Sequence, residues 1–156
     1  MPADHPALRG DSPRAKRLRD TIELIAPTRS TILITGGPGV GKTALARYIH
    51  ERSGSDLPLV QVNCTLPDHL LEAQLFGSVR PDPSDIYHST TYTPSASERA
   101  PNGTIVLDEI DALSLAMQAR LLKVLQEGTE LRKFHPRLIA IANRDLREMV
   151  KLGTFR

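Results

Sequence analysis

"TILITGGPGVGKT", residues 31–43, decides the fold. Its first five residues are apolar or β-branched, which suits a short buried strand. Its last eight, residues 36–43, fit the spacing G-x-x-x-x-G-K-[ST] of the phosphate-binding loop. Gly36, Gly37, Pro38, Gly39, Val40 and Gly41 form that loop. Glycines let a backbone approach phosphate closely and take φ values that other residues avoid. Successive N–H groups can then point into one concavity, and the helix that follows adds its positive N-terminal end. Lys42 is placed to bridge β- and γ-phosphates, and the Thr43 hydroxyl to bind Mg²⁺. Without a ligand, Lys42 is expected to face solvent. A glycine turn with a chance lysine would not explain why the motif follows a strand and opens a helix.

Outward from this stretch the periodicity alternates. Upstream, Ser12 and Pro13 read as a helix cap and first turn, with Leu18, Ile22 and Ile25 at helical spacing and Pro27 ending the pattern. Downstream, "KTALARYIHERSG" predicts a helix with Leu45 and Ile49 inward and Gly54 as its stop. "LPLVQV" predicts a second strand and "DHLLEAQLF" a short helix. "TIVLD" predicts a third, buried strand. "SLAMQARLLKVLQEG" predicts a helix whose inner stripe is Leu121, Leu122 and Leu125, stopped by Gly128. "RLIAIAN" and "DLREMVKLG" add a fourth strand and a last helix, stopped by Gly153. Strands alternating with helices imply an α/β fold with a central parallel sheet.

Composition agrees. The chain's 156 residues suffice for one domain with one core. Aromatics make up 4%, so the core must be aliphatic, as in a sheet covered on both faces. A net charge of +2 is too small to argue for nucleic acid. The single cysteine, Cys64, excludes an internal disulfide and fits a reducing compartment. No run reaches the roughly 20 apolar residues of a membrane span, and "MPADHPALRG" lacks the apolar centre of a signal peptide. A cytoplasmic protein without membrane contact is expected.

The third strand ends in "TIVLDEI", residues 104–110, which fits a Walker B strand. Ligands of open α/β sheets bind at the carboxyl ends of the strands, where Asp108 falls. Asp108 would support Mg²⁺, and Glu109 would orient and deprotonate the attacking water. The same two acids could merely cap the next segment. Their place about 65 residues after the glycine loop favours the chemical role. Asn143 and Asn63 end the fourth and second strands. A polar residue at a strand tip suits contact with γ-phosphate or the attacking water; a turn-starting asparagine suits these positions equally well. His50, His69, His88 and His135 show no metal-ligand spacing, so Mg²⁺ at Thr43 and Asp108 is the one metal expected.

Together these residues resemble the AAA+ central domain of bacterial enhancer-binding proteins, the ATPases that activate sigma-54 RNA polymerase. The likeness runs through "LRGDSP", "APTRSTILITGGPGVGKTALARYIH", "VNCTLPDHLLEAQLFG", "APNGTIVLDEIDALSLAMQARLLKVLQE" and "IANRDLREMVKLGTFR". It implies a P-loop αβα sandwich binding ATP with Mg²⁺ and working as a ring with like neighbours. It further implies that Asn143 is the sensor I residue, that Asn63 pairs with Glu109 until nucleotide is sensed, and that Arg156 reaches a neighbour's ATP site.

The chain also departs from that pattern. Residues 78–101 read as a polar, proline-studded insertion loop, without helical or strand periodicity and without the GAFTGA motif by which the family grips sigma-54. Engagement of sigma-54 is therefore not expected. Residues 128–136 look like a shortened second insertion. Relative to the family, the domain spanning residues 1–156 is expected to be incomplete at its C-terminus. The helical lid, the second arginine and a DNA-binding domain are expected to be absent from this chain. Either an ATPase active when oligomerised or a nucleotide-binding module that hydrolyses little would fit.

Overall fold

A computed structural model describes residues 10–54, 56–81, 90–127 and 134–156. Helix α1 (Pro13–Ile25) begins where Ser12 accepts the Ala15 N–H at 3.2 Å, with Pro13 at the first helical position. A 3-10 turn (Ala26–Thr28) leads to β1 (Ile32–Thr35). Then come α2 (Lys42–Arg52), β2 (Leu59–Asn63) and α3 (Asp68–Phe76). Two antiparallel strands, β3 (Ser78–Pro81) and β4 (Thr90–Thr93), precede the short α4 (Ala96–Arg99). Last are β5 (Thr104–Asp108), a 3-10 turn (Ile110–Ala112), α5 (Leu115–Glu127), β6 (Arg137–Ala142) and α6 (Leu146–Lys151).

The main sheet is parallel throughout, in the order β1-β6-β5-β2. Side chains alternate between its faces. Ile105 and Leu107 of β5 enter one core, while Val106 enters the other. On β6, Ile139 and Ile141 join the second core and Ala142 the first. Ile22 of α1 with Ala46 and Ile49 of α2 close the second core; Leu71 and Leu75 of α3 with Met117 and Leu121 of α5 close the first. Each fully buried Ile or Leu contributes roughly 2 kcal/mol. The parallel sheet is the one the alternating pattern implies, the αβα sandwich is the one the family resemblance implies, and together they bring the ends of β1, β6, β5 and β2 into one row.

Some expectations need correction. Residues 78–101 are not a featureless loop. β3 and β4 pair from Ser78↔Thr93 to Pro81↔Thr90. "TTYT" is polar but β-branched and aromatic, which suits a strand more than its hydropathy suggests. Gly77 lets the chain leave α3: its φ is +77°, and a Cβ there would sit 2.9 Å from the Thr93 carbonyl oxygen. α4 is held by a capping box, in which the Ser95 hydroxyl accepts the Glu98 N–H while Glu98 accepts the Ser95 N–H. Ala96, Ser97 and Ala100 are buried. Residues 82–89, with most of the insertion's tip, lie outside the described residues, as do Gly128 and most of the shortened second insertion.

The stripe of α5 is also rotated from expectation. Leu122 is 43% exposed, and Met117, Gln118 and Leu121 face inward. β1 lies at the edge of the described sheet, paired only with β6, so Leu33 is 51% exposed rather than buried. Leu18 is likewise exposed, and the second strand runs to Asn63 from Leu59, two residues later than its apolar run begins. Among the described residues no helix is long and apolar enough to cross a membrane.

Candidate functional site

Two backbone bonds draw the strand ends together, and a third shapes the turn beside them. The Gly36 N–H donates to the Ala142 carbonyl at 3.3 Å, joining the glycine loop to the tip of β6. The Cys64 N–H donates to the Asp108 carbonyl at 2.9 Å, joining β2 to β5. The Ala112 N–H donates to the Glu109 carbonyl at 2.9 Å and closes the turn after β5. Gly36, Asp108, Glu109, Asn143 and Asn63 therefore stand along one rim of the sheet, as Gly36–Thr43 and "DE" at a strand end predict.

The glycine loop turns into α2 through Gly41, whose φ of +90° is open to glycine at no steric cost. Pro38, Gly39 and Val40 form the bend before it, and Gly39 is also left-handed. Lys42 departs from expectation. It is only 8% exposed, and its Nζ donates to the Gly37 carbonyl at 2.6 Å. The ammonium is folded into the loop's own concavity, where that carbonyl replaces part of its hydration. An ammonium has three N–H donors, so contact with a phosphate draws on those that this oxygen does not take.

Thr43 and Asp108 meet directly: the Thr43 hydroxyl donates to Asp108 Oδ2 at 3.2 Å. A hydroxyl and a carboxylate at this separation form an oxygen pair suited to a hard cation such as Mg²⁺. Sequence reading missed a third participant. Gln61 of β2 donates from Nε2 to the same Asp108 Oδ2 at 2.8 Å, and Arg47 donates from Nη2 to Gln61 Oε1 at 3.3 Å. Arginine can only donate, so it turns the Gln61 carbonyl towards itself and the amide N–H₂ towards Asp108. The strand register, which sets Gln61 beside Val106 two places before Asn63↔Asp108, is what brings Gln61 near. A strand-alternation count could have flagged it.

Glu109 has φ 56° and ψ 49°, a left-handed conformation that a non-glycine residue holds only under constraint. Asn63 is placed at the same rim but is otherwise engaged. Its Oδ1 accepts both the N–H and the hydroxyl of Thr65, at 2.9 and 2.8 Å. Among the described residues no hydrogen bond joins Asn63 to Glu109. Asn143 follows β6, and its N–H donates to Asp111 Oδ1 at 3.0 Å. Arg156 lies exposed after α6, with its N–H donating to Gln118 Oε1 at 2.9 Å. Gln118 is buried and also donates to the Leu113 and Thr154 carbonyls, so one core amide seats the segment that carries Arg156. Cys64, behind Asp108, is inert: burial first, and the Asp108 charge second, push its thiol up to about 12.

Two hollows flank the glycine loop. A cleft of about 620 Å³ is lined by Gly36, Gly37, Asn143, Arg144 and Arg147. On the other side an apolar groove of about 460 Å³ is lined by Leu18, Ile22, Ile25, Val40 and Leu45, which accounts for the exposure of Leu18 and Val40.

Comparison with known proteins agrees with this geometry. The family model described as the sigma-54 interaction domain matches residues 8–156. The NorR anaerobic nitric oxide reductase transcription regulators of Aeromonas hydrophila and Shigella sonnei are 40% and 41% identical to the chain, over 98% and 94% of its length. The chain spans 31% and 30% of those two proteins. The crystal structure of NtrX from Brucella abortus superposes with a TM-score of 0.79 at 33% identity, covering 97% of this chain and 34% of that one. NtrX has also been solved in complex with ATP and with ADP. The P-loop NTPase domain of a sigma-54 activator from E. coli, at 20% identity and a TM-score of 0.57, shares the fold. On the match over residues 8–156 and the strand-end arrangement alike, the chain belongs to the sigma-54 interaction domains, the AAA+ domains of enhancer-binding proteins.

Proposed function

We propose that this chain binds ATP with Mg²⁺ along the strand ends and hydrolyses it when like neighbours, in a homo- or hetero-oligomeric ring, complete the site. The carrying observation is the meeting of Thr43 and Asp108 at 3.2 Å beside a left-handed glycine loop that already holds the Lys42 ammonium. In this reading the loop amides and Lys42 hold the phosphates, and the apolar groove lined by Leu18, Ile25 and Val40 takes the aromatic base. Thr43 and Asp108 would hold Mg²⁺, which supplies charge neutralisation of the phosphates when bound. Glu109 takes the proton of the attacking water, Asn143 contacts the γ-phosphate, and Arg156 reaches the neighbouring site. The ATP complex of NtrX, at 34% identity, supports the nucleotide assignment.

Calorimetric titration of wild type and Lys42→Ala with ATP tests it. Losing one charge-assisted contact should cost about 2 kcal/mol, roughly thirtyfold in affinity, with the protein still folded and its thermal midpoint only modestly lowered by loss of the Lys42 bond to Gly37. Equal affinities would sink the assignment. A second reading concerns the insertion. Residues 78–101 carry no GAFTGA, so the chain would bind nucleotide without gripping sigma-54. A stable complex with sigma-54, formed only with ADP and aluminium fluoride, would show that reading to be wrong.

A further inference from the structure

Asp111 lies in the 3-10 turn two residues beyond Glu109 and is 7% exposed. Its carboxylate caps nothing locally. It crosses to the neighbouring strand: Oδ1 accepts the Asn143 N–H at 3.0 Å, and Oδ2 accepts Arg144 Nε at 3.1 Å. Arg144 Nη2 donates in addition to the Asp111 carbonyl at 2.5 Å. Three bonds thus tie the turn that carries Glu109 to the tip of β6 that carries Asn143. Burying a carboxylate is costly unless a cation and hydrogen bonds compensate it. Here both compensating partners come from residues 143 and 144, so the turn and the tip hold each other in place.

The geometry has a direct consequence. Anchoring the Asn143 N–H fixes its peptide plane, and with it the base from which the side-chain amide projects. On the other side, Glu109 is held in its left-handed conformation by a turn whose third residue is Asp111. A shift of either side chain's backbone is passed through one carboxylate to the other.

We propose that Asp111, with Arg144 as its counter-ion, is a positioning residue that couples Glu109 to Asn143, so that contact with a γ-phosphate at one is felt at the other. This rests on the nucleotide reading above. A merely structural role would weaken ATP and ADP binding alike. A positioning role changes the ratio of the two affinities, because only ATP carries the group that Asn143 touches.

The test measures affinities for ADP and for a non-hydrolysable β,γ-imido analogue of ATP, with Mg²⁺, in wild type, Asn143→Ala, Asp111→Asn and Arg144→Gln. Asn143→Ala and Asp111→Asn should each lower the preference for the triphosphate about fivefold, and Arg144→Gln about twofold. Asn143→Ala combined with Asp111→Asn should be no worse than Asn143→Ala alone, since Asp111 acts through Asn143. A preference lost in Asn143→Ala and kept in both Asp111→Asn and Arg144→Gln overturns the coupling while leaving the nucleotide reading intact. A preference unchanged in Asn143→Ala overturns the γ-phosphate reading and the coupling with it. If Asp111→Asn does not fold, Arg144→Gln, which removes the counter-ion and its bonds to the turn, decides alone: a triphosphate preference equal to wild type then overturns the coupling.

Discussion

The two ends of the parallel sheet use the same kinds of residue in opposite ways. At the amino end, polar side chains, whether buried like Arg137 or exposed like Arg29, are spent on the protein itself. Arg137, 3% exposed, donates to the carbonyls of Ser30, Ala26 and Ile25 and so pins β6 to the end of α1. Burial lowers its pKa, and the positive charge of Arg29 adds to the effect. Arg29 itself donates to the carbonyls of Asn102 and His135. His50 donates from Nε2 to the Leu57 carbonyl, so in the neutral ring Nδ1 accepts the Thr104 hydroxyl. At the carboxyl end, Lys42 holds one carbonyl, Thr43 and Asp108 hold each other, and Glu109 sits half-buried in a strained turn with no cap bond from its side chain. Polar groups whose partners come entirely from the chain stabilise it. Polar groups left with spare capacity at a strained rim are available to a ligand.

Substitutions at the two ends should separate these roles. The largest effect is expected at the proposed base. Glu109→Gln keeps the shape and loses the proton acceptor, so ATP turnover should fall about a thousandfold while ATP affinity and the thermal midpoint hold. Turnover at the wild-type rate would remove Glu109 from the chemistry. Next comes Arg137→Ala at the opposite end. Three carbonyls lose a buried, charge-assisted donor, for a loss of about 3 kcal/mol in denaturant unfolding. The ATP affinity of the folded fraction should stay the same, and a selective loss of affinity would break the contrast. The smallest effect belongs to Gln61→Ala. Asp108 would lose one of the two side-chain donors it has among the described residues, which should weaken Mg²⁺-dependent ATP binding about threefold and leave binding in EDTA as it was. An equal loss with and without Mg²⁺ would mean that Gln61 only supports the strand.

Much of this arrangement was legible in the sequence because it is local. Loop spacing, the β-branched runs, the Ser12 cap and the Gly54 and Gly153 stops are read within a few residues of each other, and each forms within two residues of where the pattern sets it. The strand-end positions of Gly36, Asp108, Asn63 and Asn143 follow from that same local reading plus the rule that parallel sheets bind at their carboxyl ends. Where propensity and hydropathy disagreed, as in "TTYT", reading by hydropathy missed a strand pair. Where a helix could turn about its axis, as at Leu122, the exposed face was chosen by α3 and the sheet rather than by the leucines themselves.

What the sequence determined by itself, then, is the α/β class, the phosphate-type loop and the row of polar residues at the strand ends, since each depends on spacing along one segment. Only the tertiary structure decided which of those residues meet. Asp108 takes its donors from Thr43, 65 positions away, and from Gln61, 47 away. Asp111 finds Asn143 across 32 positions, and Arg137 finds the end of α1 across 111 and 112. Asn63 turned to Thr65 beside it instead of to Glu109. Such pairings are set by strand order and register, which bring distant segments to within hydrogen-bond reach, and no local pattern encodes that distance.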